Sequence, residues 1–138
     1  MKYRVLFLCT HNSCRSQMAE GLLRHDLGDR YEVFSAGTEA TRVNPRAIQS
    51  MAGIGIDISG HHSKTLDHFA DQPFDCVVTL CGDANEKCPL FFGGVERMHV
   101  GFDDPSRTTG SEEEIMADFR RVRDQIRAWL QKQFGGAV

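Results

Sequence analysis

Two cysteines and an arginine stand close together in Phe7–Gly21, FLCTHNSCRSQMAEG, where an apolar run gives way to small polar residues and then to a helix-like pattern. Cys9, Cys14 and Arg15 therefore fall at a joint between strand and helix. A turn entering a helix N-terminus points several backbone N–H groups into one concavity, and the helix dipole adds to its pull on an anion. A thiol held in such a place is favoured as its thiolate, the nucleophilic form. Arg15 brings a permanent planar cation whose fork matches two oxygens of a tetrahedral oxyanion. Asn12 and Ser16 can hydrogen-bond the sulfur or brace the turn. The chemistry this supports is attack by Cys9 on an oxyanion cradled by Thr10, His11, Asn12, Ser13, Cys14, Arg15 and Ser16. The plainer alternative is a strand-end cysteine followed by an ordinary helix-start arginine; Ser16 and the strand-before, helix-after context weigh against it.

Two further stretches bear on that chemistry. In GFDDPS, Asp103 and Asp104 precede Pro105. An Asp-Pro pair makes a turn in its own right, but a carboxylic acid placed at the site could also protonate a departing oxygen. In VVTLCGDANEKCP, six polar, Gly-containing residues separate Cys81 from Cys88. Closing so short a loop costs little entropy, whereas a helix across the gap would forbid a disulfide, so pairing needs movement. The pair could supply two electrons or be idle thiols. With Cys9 and Cys14 it could also offer four sulfurs to zinc, but only Cys9–Cys14 loosely approaches the usual C-x₂₋₄-C spacing, so no metal is expected. Cys76 lies inside an apolar run and reads as packing, and Cys14 as structural.

The elements that would position these groups follow from periodicity. YRVLFLC, YEVFSAG and FDCVVTLC read as strands, and VERMHVGF as a weaker fourth. RSQMAEGLLRHDLG is helical, with Met18, Ala19, Leu22, Leu23 and Leu27 on one side and Gly28 as its stop. Asn44 and Pro45 start a second helix that fades near Gly53. HSKTLDHF suggests another short one. Ser111 and Glu114 form a capping box for the longest, whose stripe is Ile115, Phe119, Val122, Ile126 and Leu130. Arg120, Arg121, Arg123 and Arg127 belong mostly to its solvated side. Strands alternating with helices predict an α/β domain with a parallel sheet. Ligands of such sheets lie beyond the carboxyl ends of the strands, where Cys9 and Cys81 fall.

The totals narrow the setting. A chain of 138 residues suits a single domain over 1–138, and a net charge of -3 gives no reason to expect nucleic acid or an anionic membrane as partner. The N-terminus lacks the long apolar core of a secretory signal, and no run approaches the ~18 residues of a membrane span, so a cytoplasmic protein is expected. Five cysteines, an odd number, do not suggest a disulfide framework in that compartment.

The loop CTHNSCRSQMAEG resembles the active-site loop of low-molecular-weight protein tyrosine phosphatases and, more closely, that of the thioredoxin-coupled arsenate reductases built on the same fold. SAGTEA, NPRAI, DIS, VVTLC, FDDPS and FRRVRDQI extend the resemblance over nearly the whole chain. It implies a four-stranded parallel sheet flanked by helices on both faces. It implies that Cys9 attacks arsenate while Asp104, the acid before the proline, protonates the leaving oxygen, with Asp103 its neighbour. Cys81 would then attack Cys9 and release arsenite, and Cys88 would attack Cys81, leaving a disulfide for thioredoxin to reduce. No bound cofactor is implied, and a monomer is expected. Two positions depart from the family. His11 stands where Gly is expected. Lys64 stands where relatives place a carboxylate that, with Asn12, Glu20 and Ser35, surrounds potassium; an ammonium there predicts no potassium requirement. The alternatives are a phosphatase of the same fold and a non-enzymatic oxyanion- or redox-responsive module.

Overall fold

The computed structural model describes residues 2–69, 72–81 and 94–135. In chain order they form β1 (Tyr3–Cys9), α1 (Arg15–Leu27), β2 (Tyr31–Gly37), α2 (Pro45–Ala52), β3 (Phe74–Cys81), β4 (Gly94–Phe102) and α3 (Glu112–Phe134). Short 3-10 helices occupy Leu66–Phe69 and Pro105–Arg107. The strands form one sheet in the order β2-β1-β3-β4, and every pairing is parallel.

A parallel sheet needs cover on both faces, and β1 shows it: Val5, Leu6, Phe7 and Leu8 are all fully buried. Val5, Phe7, Val33, Cys76, Val78 and Leu80 point to one side, where residues of α1, α2 and α3 complete the main core. Leu6, Leu8, Ala36, Phe74 and Val77 point to the other, against Phe69 of the first 3-10 helix. The HSKTLDHF segment is thus helical only over Leu66–Phe69, and Thr65 instead bridges to Gly37 at the end of β2.

The caps are those the sequence predicts. Asn44 Oδ1 accepts from Arg46 N at 2.8 Å with Pro45 in the first turn, and Ser111 and Glu114 close a capping box on α3. The arginines of α3 divide differently from expectation. Arg123 is buried and donates to the Ser50 carbonyl at 2.7 Å. Arg127 forks onto Asp26 at 2.9 and 2.7 Å. The last carbonyls of α2 and a carboxylate of α1 lie where those side chains emerge, so cations are drawn inward along their apolar stems. No helix among the described residues is long and apolar enough to cross a membrane.

The order β2-β1-β3-β4 makes the gap between β1 and β3 the point where the connections diverge to opposite sides, the usual place for a ligand crevice. Cys9 ends one of these strands and Cys81 the other. Leu8 pairs with Thr79, so Cys9 falls beside Leu80, one residue short of Cys81. With strands about 4.8 Å apart and a rise of about 3.3 Å, the two cysteine Cα atoms lie on the order of 6 Å from each other.

Candidate active site

The loop from Thr10 to Cys14 delivers the chain from β1 into α1. Its sharpest bend falls on Asn12, whose φ of 48° lies in the left-handed region that Asn tolerates better than most residues. The bend does not fall on His11, so the departure there places no strain on the loop. His11 reaches outward instead, with Nε2 3.3 Å from Glu39 Oε2. On its other side the loop lies against Gly37. A Cβ there would meet Thr10 O at 2.7 Å, and Asn12 N and Cys9 O at 2.8 Å.

Asn12 is completely buried and holds the loop in shape. Its amide donates to Ser16 Oγ at 2.8 Å and Ser35 Oγ at 2.9 Å, and its oxygen accepts from Gln17 Nε2 at 2.9 Å and Lys64 N at 3.0 Å. Ser16 Oγ is 2.8 Å from Cys9 Sγ. Because that hydroxyl oxygen already accepts from Asn12, its own proton is available to the sulfur. The other branch runs from Asn12 through Ser35, which donates to Glu20 Oε1 at 2.5 Å. Glu20 is 5% exposed and is compensated by Arg24 at 2.7 Å and Lys64 at 3.8 Å, with the His61 ring also 3.8 Å away. Burial holds the Lys64 ammonium below its ordinary pKa, with Glu20 pulling the other way. The ammonium thus sits beside the Glu20 carboxylate, as expected for a lysine at this position.

Gln17 is a brace of the loop that sequence reasoning missed. It is fully buried, and its amide also reaches the Asn12 and His62 carbonyls at 3.1 and 2.9 Å. A polar residue in the first turn of an amphipathic helix looks solvated unless its distant partners are known.

α1 begins at Cys14 with no side-chain cap and no acidic residue in its first turn, unlike α3. Its N-terminal amides thus remain open to an external anion. Cys14 is buried, and burial, with Asp104 and Cys9 nearby, pushes its thiol up to about 12. Burial, with Glu96 and Asp75 nearby, likewise pushes the core thiol Cys76 up to about 12. Both stay protonated at neutral pH and are poor nucleophiles. Cys9 is 2% exposed.

Arg15 is nearly buried and anchored on the strand ends, with Nη1 3.5 Å from Leu80 O and 3.3 Å from Phe102 O. Its Nη2 lies 3.5 Å from Asp104 Oδ2. The other carboxylate oxygen of Asp104 accepts from Ser106 N at 3.0 Å and Ser106 Oγ at 2.6 Å. Asp103 faces away into solvent and pairs with Arg121 at 3.3 Å.

A small cleft is lined by Cys9, His11, Ser13, Cys14, Arg15, Asp104 and Ser106. Ser106 is an addition to the residues predicted from sequence, while the side chains of Asn12 and Ser16 lie behind the cleft wall as braces. The Thr10 carbonyl accepts from Thr38 Oγ1 and Glu39 N. The backbone of Cys81 is described at the end of β3, and Cys88 lies outside the described residues. Among the described residues no cluster of three His, Cys, Asp or Glu side chains could hold a metal ion. A thiol hydrogen-bonded to a serine hydroxyl, an uncapped helix start, a guanidinium and a carboxyl thus share one cleft. That set can bind a tetrahedral oxyanion, attack it, and hand a proton to the oxygen that leaves.

Comparison with known proteins accords with this chemistry. Residues 4–135 match the family model of low molecular weight phosphotyrosine protein phosphatases. The arsenate reductase of Bacillus subtilis (strain 168) is 54% identical over 122 residues, 88% of each chain. A solved arsenate reductase in the phosphate binding state is 36% identical and superposes with a TM-score of 0.79 over 96% of this chain and 95% of that one. A thioredoxin-dependent arsenate reductase of Corynebacterium glutamicum is 30% identical with a TM-score of 0.60, over 96% of this chain and 64% of that one.

Proposed function

The chain belongs to the arsenate reductases of the low-molecular-weight phosphatase family, and on that premise we propose that it reduces arsenate to arsenite through Cys9, Cys81 and Cys88, with thioredoxin as reductant. The observation that carries this reading is the adjacency of the strand ends: Cys9 closes β1 and Cys81 closes β3 beside it. A hydrolytic phosphatase needs only the first cysteine, because water completes its cycle. A reductase needs a second thiol close enough to capture the first.

The steps balance as follows. The Cys9 thiolate attacks arsenic, and an oxygen departs as water with a proton from Asp104. The Cys81 thiolate attacks Cys9 sulfur. The S–As bond breaks with its electron pair going to arsenic, so As(V) becomes As(III), arsenite leaves, and a Cys9–Cys81 disulfide remains. Cys88 then attacks Cys81, freeing Cys9 as a thiolate and forming Cys81–Cys88. Thioredoxin reduces that disulfide by exchange and restores all three thiols. Arg15 and the α1 amides hold the oxyanion throughout, and the protein itself needs no bound cofactor. A cytoplasmic setting, which keeps thiols reduced, suits such a cycle.

The test is NADPH oxidation in the presence of thioredoxin and thioredoxin reductase, expected to depend on arsenate. Cys88→Ser should release about one arsenite per chain and stop, with mass spectrometry finding Cys9 joined to Cys81. A Cys88→Ser protein that cycles normally with thioredoxin would refute the relay.

A further inference from the structure

α3 carries a polar row that matches the loop bearing Asp104 residue for residue. Glu114, Asp118 and Arg121 follow one another at helical spacings of four and three, so they share a face. Glu114 closes on Ser111, and a Cβ on Gly110 would come within 3.0 Å of its carboxylate. Asp118 Oδ2 accepts a short hydrogen bond from Thr108 Oγ1. Arg121 donates through Nε to Asp118 Oδ1 at 2.7 Å and through Nη2 to Asp103 Oδ2 at 3.3 Å. The segment thus held, Asp103 to Thr108, is the turn in which Asp104 caps the 3-10 helix Pro105–Arg107. From the other side Asp104 and the preceding Phe102 carbonyl meet Arg15. The acid turn is therefore suspended between the cleft and α3, pinned just before Asp104 by Arg121 and just after the 3-10 helix by Asp118.

We infer that Asp118 and Arg121 are positioning residues that hold the Asp103–Thr108 turn so that Asp104 can reach the leaving oxygen. This rests on the reading of Asp104 as the proton donor. Neither residue lines the cleft, and the α1 amides lie on the far side of it from them. They act through the place of one carboxyl group, and a displacement near 1 Å at such a group can cost up to about a hundredfold in rate. The hydrogen bond from Thr108, with Arg121 beside it, also keeps Asp118 below the ordinary carboxylate range, so it is an ionised acceptor at neutral pH.

The experiment is a double-mutant cycle on thioredoxin-coupled arsenate turnover. Asp118→Ala should lower kcat about tenfold with KM for arsenate unchanged. In an Asp104→Asn background the same substitution should change kcat less than twofold, because the group it positions is gone. Thr108→Val, which removes only the hydroxyl that Asp118 holds, should show the same pattern if Asp118→Ala does not fold. Equal losses in both backgrounds, or a loss confined to KM, would overturn the positioning role. If Asp104→Asn alone keeps full kcat, the proton-donor reading fails instead, and with it the basis for the inference.

Discussion

Ser16 Oγ lies 2.8 Å from Cys9 Sγ while accepting a hydrogen bond from Asn12. The serine hydroxyl can donate to the sulfur once it is a thiolate, and the network extends from Asn12 through Ser35 to a carboxylate, Glu20, that is itself paired with Arg24 and Lys64.

Ser16→Ala should therefore weaken the nucleophile and, by leaving the buried Asn12 amide without an acceptor, cost about 1–3 kcal/mol of stability. A hydrogen bond to a charged group is worth about 1.5–3 kcal/mol, or roughly one to two decades in rate. Alkylation of Cys9 by iodoacetamide at neutral pH should slow by at least about tenfold, measured where the variant is still fully folded. Undiminished reactivity would show that the serine merely fills space.

Gly37→Ala should disturb the loop from outside it. The added carbon would come within 2.8 Å of three backbone atoms, and backbone cannot rotate aside. Overpacking of this kind costs about 1–3 kcal/mol, and the shift in Thr10–Asn12 should reduce kcat/KM for arsenate more than tenfold by misplacing the cradle. Wild-type kinetics in this variant would mean that the loop tolerates displacement.

Turnover should proceed at equal rates in potassium and sodium salts of the same ionic strength. The Lys64 ammonium, 3.8 Å from Glu20 Oε1 and donating to the His62 carbonyl at 2.9 Å, already supplies a cation against that carboxylate. A several-fold preference for potassium would show that it does not take the metal's place.

Stability should fall on the alkaline side. Cys14 and Cys76 ionise near 9.0 when unfolded but are pushed up to about 12 in the fold, chiefly by burial. Below pH 9 both states keep their protons and the fold is unaffected. Above it the unfolded chain releases protons that the fold retains, so stability declines by up to about 1.4 kcal/mol per pH unit for each thiol. Chemical denaturation at pH 8 to 10.5 should show this slope, and Cys76→Ala should remove roughly half of it. An unchanged slope would place the loss in other groups.

The sequence disclosed the frame of this site better than its bracing. Cys9 and Arg15 are legible because each stands at a junction of elements with its own local signal, strand end and helix start; the Asp-Pro pair by itself signals only a turn, and the acid role of Asp104 comes from the family resemblance. Glu20 on a helix and Ser35 near a strand end carry no local sign of burial, yet they are 5% and 0% exposed. Gln17 was not noticed at all. The bonds that join them to the loop and to one another reach 15, 23 and 45 residues along the chain, and no local pattern announces a buried polar network. Arg121 posed the same problem in reverse: its solvent-side position was read correctly, but its hold on Asp103 exists only once α3 lies beside the turn.

Only 2% of Cys9 is exposed. Under the proposed relay, a protein-sized donor would therefore deliver its electrons at the surface, and the end of β3 lies next door to the buried sulfur that would receive them.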